Sequence, residues 1–294
     1  MTHEPRSSYA LASAPNIDGA YAACEDLVRR ADKDRYLAAL FIPPFERRFV
    51  FALAAFNIEI ARVREVISDA MPGEVRFQWW RDAIMGTARG DVRAHPVAAA
   101  LLDCVVQCRL PRKALLDMID ARTFDLYDDP MPSLNALEGY CGETASALFQ
   151  LSSLCLAGGA DPHSARGAGH AGVAYALTGL MRALPYHARR GQCYLPLDLM
   201  RHHGLDRDDV VSGKASAGLA AVLLALRQQA QYHANEAQQA IADIHESVRA
   251  AFLPIALVPA YLRALERTAS RPFTRLADVA QWRRQLALWQ AARR

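Results

Sequence analysis

Between Leu180 and Pro196 the chain reads LMRALPYHARRGQCYLP, with three arginines (Arg182, Arg189, Arg190), one histidine (His187) and no carboxylate. The acid-free stretch extends from Pro162 to Leu197. Guanidinium groups are planar, permanently charged forks that bind phosphate oxygens bidentately, so such a cluster is a candidate anion site. The competing explanation is structural: long cationic side chains are more often solvated or ion-paired, here with carboxylates of other helices such as Glu59 or Glu65. A second segment, ALAAFNIEIARVRE from Ala52 to Glu65, ends an apolar run on Arg62 and Glu65, with Asp69 four residues further on. On a helix, Glu65 and Asp69 would share one face about 6 Å apart, a spacing that can hold a divalent cation, although an exposed helix face is the simpler reading.

The elements that must position these residues read as helices. Apolar residues recur at three and four along nearly the whole chain, and no run of alternating β-branched residues bounded by turns interrupts them, which makes the fold all-α. Helix starts are expected at Asp18, at Ser133 and at Asp161-Pro162, where a capping side chain precedes the apolar pattern. Breaks are expected at Pro43-Pro44, Met71-Pro72-Gly73, Pro111, Asp129-Pro130 and Gly158-Gly159. The longest helical pattern runs from about Ser216 to Ser247, and His202-His203-Gly204 reads as a helix end with glycine at the cap. No repeat, linker or low-complexity tract divides the chain, so the organisation expected is a flexible N-terminus over 1–17 and one domain over 18–294.

Composition removes several function classes. A length of 294 residues with 52% apolar and 22% charged residues is that of a globular domain with a sizeable core, and a formal charge of +3 gives no case for nucleic acid. The six cysteines form no CxxC and no dense framework; Cys104 and Cys108 share a helical face but lack further ligands at metal spacing, so all read as core thiols in a reducing compartment. His187, Cys193, His202 and His203 match no zinc-ligand pattern. Gly167-Ala-Gly169-His-Ala-Gly172 spells GxGxxG, but it follows a helix start rather than a strand, so its glycines read as points of close helix approach. Of Trp79-Trp80, at least one ring belongs in the core. The most apolar stretch, Ala250–Leu262, is shorter than the ~18 residues a membrane span needs and carries Pro254 and Pro259. Residues 1–17 lack the apolar centre of a secretory signal, and their Arg and Ser content leaves a transit-peptide reading open.

The two cationic segments together carry a resemblance. Ala52-Leu53-Ala54-Ala55-Phe56 onward, and Leu177-Thr178 through Arg182 with Arg189-Arg190-Gly191 through Pro196, are similar to the two signature regions of the squalene/phytoene synthase family, and the similarity runs from about residue 20 to about 290. The resemblance implies a single-domain isoprenoid-synthase-like helical bundle with a central cavity. Members of that family join isoprenoid diphosphates head to head, using two aspartate pairs whose carboxylates hold magnesium against the substrate diphosphate. Here those positions fall on Ala61 and Glu65, and on Ala183 and His187, which supply one carboxylate instead of four. The pattern AFNxExA at Ala55–Ala61, with RAxPYHxRR at Arg182–Arg190, is similar to a non-catalytic branch of the family that includes mitochondrial complex I assembly factor 6.

Three functional expectations follow from the resemblance. The first is a catalytically inactive protein that takes part in assembling NADH:ubiquinone oxidoreductase, needs no cofactor, has complex I subunits or assembly intermediates as partners, and has peripheral contact with a membrane. It would sit in the cytoplasm or on the inner membrane, on the matrix side in a eukaryote. The second is an active head-to-head prenyltransferase that binds magnesium through Glu65 and Asp69, with Glu59 or Asp198 assisting. The third is a carrier holding an isoprenoid diphosphate or lipid phosphate through Arg62, Arg182, Arg189, Arg190 and Tyr194.

Overall fold

The computed structural model describes residues 16–67 and 69–293, and every regular element among them is helical. The first group is α1 (Ile17–Ala31), α2 (Lys33–Ala39), α3 (Pro44–Ala61), α4 (Ala70–Met85), α5 (Pro96–Gln107) and α6 (Arg112–Thr123). There follow α7 (Leu134–Cys141), α8 (Ala147–Leu156), α9 (Ala165–Arg189), α10 (Leu197–His202), α11 (Arg207–Val211) and α12 (Ala217–Ala242). The chain closes with α13 (Glu246–Arg249), α14 (Val258–Arg267) and α15 (Gln281–Ala291).

Several ends form where capping chemistry requires, and four expected boundaries move. Asn16, not Asp18, caps α1, its side chain accepting the Gly19 N–H at 3.1 Å; Asp18 lies in the first turn. The folded body therefore begins before residue 18, while residues 1–15, with most of the expected flexible stretch, lie outside the described residues. Asp161 accepts the His163 N–H in a turn, and α9 starts only after Ser164. Pro72 does not break the chain: it occupies the first turn of α4, where a missing N–H costs no helical hydrogen bond. Ser133 caps α7 and Ser216 caps α12 as expected, though α12 stops at Ala242. Gly158, Gly159 and Gly204 turn the chain with φ of +61°, +85° and +68°.

The packing explains why alanine is so frequent. Ala52, Ala54 and Ala55 on α3 are buried with Phe51, Leu53 and Phe56 against α1 and α5. The central pair is α9 with α12: Ala168, Ala171 and Ala174 on one helix and Ala230, Ala234 and Ala237 on the other are all buried, at the three- and four-residue spacing that brings one stripe to face another. Gly172 lets α9 approach still closer to the π-helical turn Gly142–Ser146, since a Cβ there would lie 2.2 Å from Ser146 Oγ. In the GxGxxG stretch, Gly167 and Gly172 are thus close packing points, whereas Gly169 meets nothing within 4 Å.

Trp80 is buried edge-on to Phe56, and Trp79 packs beside it half-buried. All six cysteines are buried and unbridged. One expectation about them is corrected: Cys104 and Cys108 do have a third partner, because α8 brings Cys155 close enough that the three sulfurs lie within 4.8 Å of one another. The helical run Glu246–Thr268 is long and apolar enough to cross a membrane, but most of it is buried against the bundle, as expected of a core helix.

Candidate functional site

Helix α9 continues through Pro185 to Arg189, and its rotation divides the cationic stretch between two places. Arg182 points toward α2, α14 and α15. Its guanidinium lies 3.5 Å from the centre of the Tyr261 ring, its Nε donates to the Ala277 carbonyl at 3.2 Å, and its terminal nitrogens come within 3.9 Å of Asp34 and Asp278. Asp34 is buried and fully engaged, accepting the Tyr261 hydroxyl at 2.6 Å and Arg284 at 2.8 Å. Arg182, Asp34, Tyr261 and Arg284 line an open cavity of about 390 Å³ together with Arg30, Lys33, Asp32, Arg35, Tyr175 and Thr178. Five cations face two carboxylates there, and Asp32 is held by Arg35 at 2.6 Å. Arg182 has only long ion pairs, so its donors can turn to an entering anion.

His187, Arg190 and Tyr194 belong to a second cluster. The Tyr194 hydroxyl donates to buried Asp125 at 2.9 Å, Tyr140 donates to the same carboxylate at 2.8 Å, and Arg122 reaches it at 3.1 Å. Arg190 donates to the Arg64 carbonyl at 3.1 Å, and Arg64 in turn pairs with Asp128 at 3.2 Å. The His187 ring packs 4.6 Å from that of Tyr194. Burial, reinforced by the positive charges of Arg190 and Arg122, pushes its imidazole down to about 4, so it is neutral at physiological pH. The void beside this cluster, lined by Leu177, Leu180, Leu184, His187 and Leu226, is about 10 Å³, room for no more than a water.

The expected anion residues are therefore not one constellation. Arg182 sits in the cavity, Arg190 and Tyr194 sit in the buried network, and Arg189 is exposed with no ion pair to a described residue. Arg62 closes α3 and pairs with Glu65 at 3.8 Å, both side chains well exposed. Of the acids expected to hold these arginines, Glu65 meets Arg62 and Glu59 meets none of them, while Arg182 is held by Asp34 and Asp278. Sequence reasoning missed Asp34, Tyr261, Arg284, Arg122 and Asp125. The available signal was the acid-free stretch itself, since its arginines require acids from elsewhere in the chain.

Residues 28–290 match the squalene/phytoene synthase family. The chain belongs to the squalene/phytoene synthase family. It is 32% identical over 262 residues to NADH dehydrogenase (ubiquinone) complex I, assembly factor 6 of Rattus norvegicus, covering 89% of this chain and 78% of that protein. The human protein of the same name is 31% identical over 258 residues, with 88% and 74% covered. Phytoene synthase of Arthrospira platensis is 24% identical over 285 residues, covering 91% of each chain. In structure, a dehydrosqualene synthase in complex with ligand superposes with a TM-score of 0.81 at 19% identity, covering 94% of this chain and 96% of that one.

A squalene/phytoene synthase bundle with this site does not offer magnesium the donors it prefers. The ion takes carboxylate and water oxygens in an octahedron. Ala61 and Ala183 carry no donor, and His187 presents a neutral ring beside Arg190 and Arg122. Glu65 is exposed, paired with Arg62. Asp69 has partners of its own. The residues that occupy the family's metal-binding positions thus do not fit the metal.

Proposed function

We propose that this member of the squalene/phytoene synthase family acts in assembling NADH:ubiquinone oxidoreductase at the inner face of the membrane, without metal and without prenyl transfer. The observation that carries this reading is the state of the four aspartate positions, where Ala61, Glu65, Ala183 and the neutral His187 stand among Arg62, Arg122 and Arg190. With one carboxylate among those four positions, the divalent ions a diphosphate leaving group needs have too few oxygen donors there. Relatives bearing the assembly-factor name support the role, at 31–32% identity over nearly nine-tenths of the chain. The partners are then complex I subunits or assembly intermediates.

The test is deletion of the gene in its host, followed by native gels and NADH oxidation by isolated membranes. Loss of the assembled complex, restored by the wild-type chain, is the expected result; a fully assembled complex in the deletion strain sinks the proposal. Turnover is measured separately. Purified protein with magnesium and farnesyl or geranylgeranyl diphosphate is expected to give no condensed product, and a condensed product that disappears in Glu65→Gln establishes the prenyltransferase reading instead.

The cavity around Arg182 favours an accompanying ligand, an isoprenoid or lipid phosphate bound without metal. Arg182 and Lys33 have donors to spare, and about 390 Å³ suits a headgroup or a short prenyl phosphate. Calorimetry with farnesyl diphosphate in EDTA, repeated with inorganic pyrophosphate and with Arg182→Ala, separates chain from phosphate recognition. No heat with either compound removes the ligand from the proposal and leaves the assembly role standing.

A further inference from the structure

Helix α15 carries two apolar stripes. Ala287, Leu288 and Ala291 face inward, Leu288 being fully buried against Leu257 and Tyr261. Trp282, Leu286 and Trp289, spaced four and three apart on the other side, remain 60%, 44% and 45% exposed. They line an open groove of about 640 Å³ with Leu37, Leu40 and Phe41 of α2 and the turn after it. Phe45, at the start of α3, is 59% exposed. An amphipathic surface helix normally has one such stripe, and solvent-facing indole and phenyl rings gathered in one place mark an interaction surface.

We infer that this face seats on an anionic phospholipid bilayer, with α15 lying flat at the boundary between headgroups and acyl chains. Charge selects the occupant. No Asp or Glu occurs from Arg35 to Phe45 or from Val279 to Arg294, whereas α15 and the residues after it hold Arg283, Arg284, Arg293 and Arg294. Arg284 is spent on Asp34, but Arg283 and Arg293 lie over the rings of Trp282 and Trp289 at 5.1 and 3.9 Å. Indole rings beside guanidinium groups match the headgroup layer, where the ring enters the apolar boundary and the cation meets phosphate. The face is wide and open, as a planar partner requires.

The inference rests on the membrane-adjacent reading above, and it names the surface that performs the contact. The test is co-sedimentation of the full chain with vesicles of phosphatidylcholine alone or mixed with phosphatidylglycerol. Binding to the anionic vesicles, weakened by salt, is expected. Trp282→Ala with Trp289→Ala should lower the partition coefficient at least about tenfold, and Arg283→Gln with Arg293→Gln should remove only the preference for anionic lipid. Met71→Ala with Val75→Ala, exposed apolar residues elsewhere, should leave binding unchanged. Unfolding midpoints confirm that the outward-facing variants fold. Absence of binding by the wild type, or undiminished binding by the tryptophan variant, overturns the inference. So does light scattering that reveals a dimer dissolved by the tryptophan variant, which makes the face a contact between copies. An intact complex in the deletion strain sinks the assembly role alone, so the two failures are distinguishable.

Discussion

The neutrality of His187 can be tested through stability. Lowering the imidazole from 6.5 to about 4 means that the unfolded chain binds this proton about 300-fold more tightly than the folded one, worth about 3 kcal/mol when fully developed. The sign follows from which state titrates first. Above pH 6.5 neither state is protonated and the full stability is present; as the pH falls the unfolded chain takes up the proton, and stability declines until about pH 4, where the folded protein also titrates. At pH 5 the loss should be about 2 kcal/mol. His187→Gln removes this contribution while forfeiting the ring contact with Tyr194 at 4.6 Å, a cost of about 1 kcal/mol. The variant should therefore be less stable than wild type at pH 7.5 and more stable at pH 5, the curves crossing near about pH 6. Urea unfolding followed by circular dichroism measures both, and the difference cancels histidines common to the two proteins. Parallel losses in wild type and variant would refute the reasoning, because they require His187 to charge normally.

Three further outcomes follow from the packing and the ion pairs. Gly172→Ala should destabilise by several kcal/mol, roughly 2–5, because its Cβ meets Ser146 at 2.2 Å, whereas Gly169→Ala meets nothing within 4 Å and should be neutral or stabilising by up to about 1 kcal/mol in the same denaturation assay. Asp34→Asn should cost about 3 kcal/mol, since it removes the charge that holds Arg284 and Arg182, and a loss below about 1 kcal/mol would show those guanidinium groups to be solvated. Glu65→Gln should change stability by less than about 0.5 kcal/mol, its ion pair being long and exposed; a larger loss would point to an organised role for that carboxylate.

The parts legible in the sequence were those set by local spacing. The three- and four-residue recurrence of apolar positions was enough for the helices, and the RRGxxYLP segment with its altered aspartate positions was enough for the family. Gly172 could be read as a contact point because a glycine inside a helix has few other uses. The partners of the arginines were not legible. Tyr261 meets Asp34 across 227 positions and Arg284 meets it across 250, so no periodicity links them. Cys155 joins Cys104 across 51 positions for the same reason. Pro72 misled because proline reads as a breaker everywhere, although its ring fits the first turn of a helix without loss.

Why the bundle tolerates alanine at Ala61 and Ala183 follows from where those residues lie. Ala61 and Ala183 are only partly buried, and alanine favours helix more than aspartate does. Four carboxylates gathered without cations would repel one another, a cost that alanine at Ala61 and Ala183 avoids. The stripes that hold the frame together, Ala168, Ala171 and Ala174 against Ala230, Ala234 and Ala237, lie elsewhere on α9. A TM-score of 0.81 to a dehydrosqualene synthase at 19% identity shows the same fold held by a largely different sequence. The separation of these stripes from the altered positions frees the surface to carry function. If the bundle works by presenting a shape to other proteins, substitutions at Ala61 or Ala183 should leave assembly untouched, and substitutions at exposed positions should abolish it without lowering the unfolding midpoint.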